Sequence, residues 1–137
     1  MIAAPKVEYS LRVLSQLARR HKPGQVVRVE DLAKAEAVPQ NYLVQLLNEL
    51  REGGIVESKR GKAGGYRLAR NPGDISVRDV LEIVEPSLAE TKVTTKGASG
   101  GQVATLWREL SRRLDAETGK LTLAHLARAS EGGDWEI

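Results

Sequence analysis

Residues 30–70 constrain this chain more than any other stretch. Glu30 and Asp31 put carboxylates at the start of a helix, where the positive end of the helix dipole favours them. Leu32, Ala33 and Ala35 to Ala37 can face inward. Val38-Pro39 ends that helix, because the residue before a proline avoids the α region. A second helix starts near Pro39 to Asn41, with Gln40 or Asn41 near its cap, and runs to Glu52. Leu43, Leu46, Leu47 and Leu50 fall on one of its faces. Gly53-Gly54 closes it, glycine being the residue that tolerates a left-handed cap. Two helices around a short turn make either a helix-turn-helix or an ordinary αα-hairpin, and this segment alone does not separate them.

The next residues favour the former. Ile55-Val56 and Tyr66-Arg67-Leu68 have β character and flank a turn rich in glycine and cations. Gly61, Gly64 and Gly65 permit the positive φ angles that a hairpin turn uses. From Ser58 to Gly73 there are five cationic residues, Lys59, Arg60, Lys62, Arg67 and Arg70, and no acidic one. A basic hairpin directly after a helix-turn-helix is a winged helix. Its tip can enter a minor groove or lie along phosphates while the second helix enters the major groove. The plainer alternative is a solvated charged turn. A phosphate-binding P-loop is excluded, because no G-x-x-x-x-G-K-[ST] is present.

The flanking segments read as helices. Pro5 suits the first turn of a helix running to about Arg20, with Val7, Leu11, Leu14, Leu17 and Ala18 on one face. Val26 to Val29 suggests a short strand. Ser76 can cap a helix over Val77 to Val84. Residues 87–101 lack helical periodicity and predict a flexible loop. Gln102 to Thr118 predicts a long helix with Gly119 as its cap. Val103, Trp107, Leu110 and Leu114 follow the 4, 3, 4 spacing of a coiled-coil seam, with Leu106 alongside. Thr122 caps a last short helix, Leu123 to Ala129. A seam on a late helix suits a two-fold dimer interface, or else packs on its own domain.

Composition closes off other classes. The chain of 137 residues has room for one core, and its formal net charge is +3. There is no cysteine, which excludes disulfides and thiolate-ligated zinc or clusters. His21 and His125 are the only histidines, and neither has a second ligand at metal spacing. No Ser-His-Asp order with a nucleophile elbow is present. No apolar run approaches the roughly 18 residues that span a bilayer, so a soluble cytoplasmic protein is expected.

With these segments in place, the chain resembles the Rrf-two family of winged-helix regulators. The resemblance rests on residues 41–70 and on Ile75 to Leu81, Leu106-Trp107 and Leu121 to Ala124. The Tyr-Leu-x-Gln-Leu and Arg-Gly-x-x-Gly-Gly-Tyr pieces, in that order, carry it. It implies a homodimer whose long late helices cross between subunits. It also implies that Tyr42, Gln45 and their neighbours, with Arg60 on the wing, approach DNA. Val44 departs from the glutamate that some members carry. Cluster-binding members have three cysteines in the loop that is cysteine-free here, so the resemblance implies a member without a cofactor. Such a member would answer to a small-molecule effector or a partner enzyme.

The expected fold is therefore mainly α, a winged helix-turn-helix with a small β-hairpin wing and a long C-terminal dimerisation helix. The expected division is a DNA-binding domain over 1–85, a flexible loop over 86–101, dimerisation and terminal helices over 102–130, and a frayed tail over 131–137. The expected function is that of a non-enzymatic regulator, a repressor on a pseudo-palindromic duplex operator. Candidate DNA contacts are Gln40, Asn41, Tyr42, Gln45, Lys59, Arg60, Lys62, Gly64, Gly65 and Tyr66. Candidate dimer contacts are Val103, Leu106, Trp107, Leu110 and Leu114. The alternative is a winged-helix module that docks a metabolic enzyme or another regulator.

Overall fold

The computed structural model describes residues 4–88 and 93–132. The expectations for 89–92 of the loop and 133–137 of the tail lie outside the described residues. Six helices and one hairpin follow in the order α1 (Pro5–Arg19), α2 (Val29–Glu36), α3 (Gln40–Glu52), β1 (Val56–Lys59), β2 (Gly65–Leu68), α4 (Val77–Val84), α5 (Gly100–Lys120) and α6 (Leu123–Gly132). Short 3₁₀ turns precede and follow α4 at Pro72–Asp74 and Pro86–Leu88.

The core is aliphatic. Leu14 of α1, Leu32 of α2, Leu43, Leu47 and Leu50 of α3, Ile55, Ile75, Val80 of α4 and Leu123 of α6 are all essentially inaccessible to water. Side chains of this kind each contribute about 1.5–3 kcal/mol when buried. That shared core fixes α3 against the rest of the molecule. The α4 helix begins with a capping box: Ser76 Oγ accepts from Asp79 N at 3.1 Å, and the Asp79 carboxylate accepts from Ser76 N at 3.0 Å. The junction of α5 and α6 is knitted back to the start of α4. Val77 N donates to Leu121 O at 2.7 Å, and Leu123 N donates to Ile75 O at 3.0 Å. Hence α6 packs on α1 in the main core.

Several expected boundaries move. Val26 to Val29 is not a strand. Only Val27 pairs, through a two-way bridge to Tyr66 at 2.8 Å in each direction, and Val29 already begins α2. Neither Gln40 nor Asn41 caps α3; the cap position is Pro39, with no side-chain bond. Gly119 lies inside α5, which runs to Lys120. Its small size makes room instead for Arg78, whose Nη1 would be 2.9 Å from an added Cβ. The α5 helix also starts at Gly100, inside the expected loop, and α6 reaches Gly132, past the expected Ala129. Of the Gly53-Gly54 pair, Gly54 has the positive φ (+79°), while Gly53 has φ −79° and lies where a Cβ would strike Ile83.

Candidate nucleic-acid interface

The turn between α2 and α3 is set by Ala37, which sits in the left-handed region at φ 53°, ψ 47°. Alanine there is strained relative to glycine. The α1 helix holds the turn in place. Arg12 donates from Nη2 to Glu36 O at 2.7 Å and to Ala37 O at 3.3 Å, satisfying carbonyls at the end of α2. The same guanidinium lies over the Tyr9 ring, 5.0 Å from its centroid. Arg19 adds an ion pair to Glu36 at 3.4 Å.

From this turn α3 projects with its leucines buried and its other face in solvent. Gln40, Asn41, Val44, Gln45 and Arg51 are exposed, and Asn48 is half-buried. The first turn holds no acidic residue that would repel a phosphate. Tyr42 differs from its neighbours. It is half-buried, and its ring meets Tyr9 edge to face, with centroids 5.5 Å apart and planes at 73°. This contact gives Tyr42 a packing role, as a bolt between α1 and α3. Val44, Asn48 and Arg51 were absent from the sequence-derived set. The spacing of 41, 44, 45, 48 and 51 away from the leucine face is the signal that locates them.

The wing is an antiparallel pair with Val56 opposite Leu68 and Lys59 opposite Gly65. Val56 and Leu68 anchor its base in the core. Arg67 and Glu57, cross-strand partners, pair at 3.1 Å and cancel charge midway along the wing. Beyond them Lys59, Arg60 and Lys62 are exposed, and their side chains make no hydrogen bond or ion pair with any described residue. Elsewhere many cations are matched, as Lys6 is to Glu49 at 2.7 Å and Arg78 to Asp115 at 3.4 Å. The tip is thus a cluster of unmatched positive charge. Arg51 Nη1 lies 3.4 Å from Ser58 Oγ, which ties the end of α3 to the wing.

Gly64 and Gly65 have structural reasons to be glycine. A Cβ at Gly64 would lie 2.2 Å from Lys59 O, and one at Gly65 would lie 2.4 Å from Val27 O. Tyr66 is half-buried and packs against the core. The structure therefore separates the ten candidate DNA contacts into two groups. Gln40, Asn41, Gln45, Lys59, Arg60 and Lys62 face solvent, while Tyr42, Gly64, Gly65 and Tyr66 are half-buried.

The five seam residues of α5 lie open in the protomer. Val103, Leu106, Trp107, Leu110 and Leu114 are 51, 59, 50, 46 and 43% exposed. Only Gly100, Ala104 and Thr118 are buried along the 21 residues of this helix. Together they make an exposed apolar strip along one side of the helix.

The residues present do not fit a bound metal or iron–sulfur cluster. No cysteine exists to supply a thiolate, and no group of three or more His, Asp or Glu side chains converges among the described residues. Glu8 is engaged by Arg12 at 3.3 Å. His125 Nδ1 accepts from Thr122 N at 3.1 Å, where Thr122 Oγ1 in turn accepts from His125 N at 3.3 Å, so it serves the start of α6. Among the described residues no helix is long and apolar enough to cross a membrane.

A buried helix-turn-helix frame, an outward row of amides and a cationic hairpin together define the winged helix-turn-helix class of DNA-binding proteins. Comparison with known proteins gives the family. The Rrf2 family profile, described as an iron-dependent transcriptional regulator, matches residues 4–129. The HTH-type transcriptional regulator Rv1287 of Mycobacterium tuberculosis is 37% identical over 132 residues, covering 93% of this chain and 81% of that protein. The HTH-type transcriptional regulator IscR of Xenorhabdus nematophila is 33% identical over 130 residues, covering 92% and 79%. Among solved structures, CymR, the global cysteine regulator of B. subtilis, superposes with a TM-score of 0.79 at 26% identity, covering 93% of this chain and 97% of that one. IscR of T. potens superposes with a TM-score of 0.80 at 26% identity, covering 100% and 93%. The chain belongs to the Rrf2 family of HTH-type, DNA-binding transcriptional regulators.

Proposed function

We propose that the protein binds a pseudo-palindromic operator as a homodimer and represses transcription there without an iron–sulfur cluster. The observation that carries the reading is the exposed amide row of α3 together with a wing tip whose three cations have no hydrogen-bond or ion-pair partner among the described residues. Gln40, Asn41 and Gln45 offer donors and acceptors that suit base edges in the major groove. Lys59, Arg60 and Lys62 supply charge for phosphates or for the adjacent minor groove. Duplication comes from α5. A second copy laid on its open apolar strip would hide Trp107 and its leucines from water, as a two-fold interface does. A dimer of this kind must set its two α3 helices about 34 Å apart to meet successive major grooves. A dimer seated across a promoter blocks access to it, which favours repression.

The test is a gel shift with fragments selected from a genomic library, run across a salt series. With about 6–10 phosphate contacts, affinity falls by roughly 10³–10⁵ between 50 and 200 mM salt. Salt-independent or absent binding by the folded protein would overturn the reading. Arg60→Ala is expected to weaken binding alike on all sequences and to flatten the salt slope by about one unit per wing. A promoter fusion separates repression from activation.

A further inference from the structure

We infer that Val44 reads the C5-methyl group of a thymine in the major groove, and is therefore a specificity determinant of this regulator. The inference rests on α3 being the major-groove helix, as proposed above. Six large apolar side chains stand exposed among the described residues, and five of them form the strip on α5. Val44, at 37% exposure, is alone on α3. It points away from the buried face of Leu43, Leu46, Leu47 and Leu50. Its neighbours on the helix surface are Gln40 four residues before it, Asn41 three before it and the half-buried Asn48 four after it. All three are amides that can both donate and accept. Val44 can do neither. An isopropyl group in the middle of a polar reading face gains nothing from water and cannot bond a base edge. The apolar feature that unmodified duplex DNA presents in the major groove is the thymine methyl. A β-branched side chain in a helix is held close to one χ1 rotamer, so Val44 presents its methyl groups rigidly. Its amide neighbours suit adenine N6 and N7. Each half-site should then carry a thymine next to an adenine read by Gln40 or Asn41.

The test uses the full-length protein and operators selected by binding. Each thymine of a half-site is replaced in turn, symmetrically, by deoxyuridine, which lacks only the methyl. One replacement is expected to weaken wild-type binding about fourfold per methyl and about fifteenfold for the pair, as for loss of one buried methylene-sized group each. Val44→Ala, at a residue outside the buried core, should bind the thymine and uracil operators equally. The proposal is overturned if no uracil replacement weakens the wild type while sequence-specific binding persists. It is equally overturned if the sensitivity survives undiminished in Val44→Ala. Loss of all sequence-specific binding by the wild type would instead sink the operator reading, and this proposal with it.

Discussion

The α3 and α5 helices carry the same kind of pattern and meet opposite fates. Each sets apolar residues on one face at helical spacing. On α3 the four leucines are no more than 2% exposed, enclosed by the shared core. On α5 the strip from Val103 to Leu114 remains 43–59% exposed, because the helix packs mainly along α4 and leaves its other side bare. Periodicity says that a face will be covered; it does not say by which chain. On α3 the cover comes from the same molecule, which frees the opposite face to be polar. The proposed cover for α5 is a second copy.

The contrast can be broken at several points. The largest effect should come from Leu47→Ala on α3, expected to cost about 2–5 kcal/mol by denaturant unfolding, because it leaves a cavity in a closed core. Next comes Trp107→Ala on α5. It should leave the protomer folded by circular dichroism yet weaken self-association by about 2 kcal/mol or more, roughly a thirtyfold rise in dimer Kd by sedimentation. If Trp107→Ala instead unfolds a monomer as Leu47→Ala does, the α5 face belongs to the protomer's own core and the contrast is lost. Ala37→Gly should stabilise the fold by about 0.5–1 kcal/mol, since it relieves a left-handed alanine at the price of a looser unfolded chain.

The smallest effect concerns the charged edge of α5. Hydrogen bonds from Arg112 and Arg113, at 2.6 and 3.0 Å, hold the Glu109 carboxyl down at about 2, against an ordinary 4.5. A lowered carboxylate value contributes stability above about pH 4.5 and loses it as the pH falls towards 2. Glu109 is solvent-screened, so the expected change in unfolding midpoint across that window is slight. The carbon-13 shift of its carboxyl, followed against pH, should titrate near 2. A normal midpoint would show that the pair does not persist in solution.

What was legible in the sequence was local. The leucine face of α3, the Ser76 cap of α4 and the alternation of glycine and cation in the wing all follow from neighbours a few residues apart. What was not legible needed a distant partner. Val26 to Val29 has the composition of a strand, but only Val27 meets an edge, so the segment does not become one. Gly65 reads as a turn glycine and is in fact a contact glycine, pressed against Val27 O. Tyr42 sits in a reading position by sequence, yet the approach of Tyr9 from α1 draws its ring inward. The outward trio of Asn41, Val44 and Gln45 could be placed by counting along the helix, but its exposure to solvent could not.

The two-way bridge between Val27 and Tyr66 has an evolutionary consequence. The root of the hairpin is clamped main chain to main chain, and the clamp tolerates no Cβ at Gly65. Side chains further out contribute nothing to that clamp. The exposed side chains at the tip can therefore be exchanged over generations without rebuilding the scaffold, whereas a side chain at Gly65 would displace the whole hairpin. Variation among orthologues should concentrate at Lys62 and Ala63, the open positions of the Arg-Gly-x-x-Gly-Gly-Tyr stretch, spare Gly61 with its φ of +105°, and thin out sharply at 65 and 66.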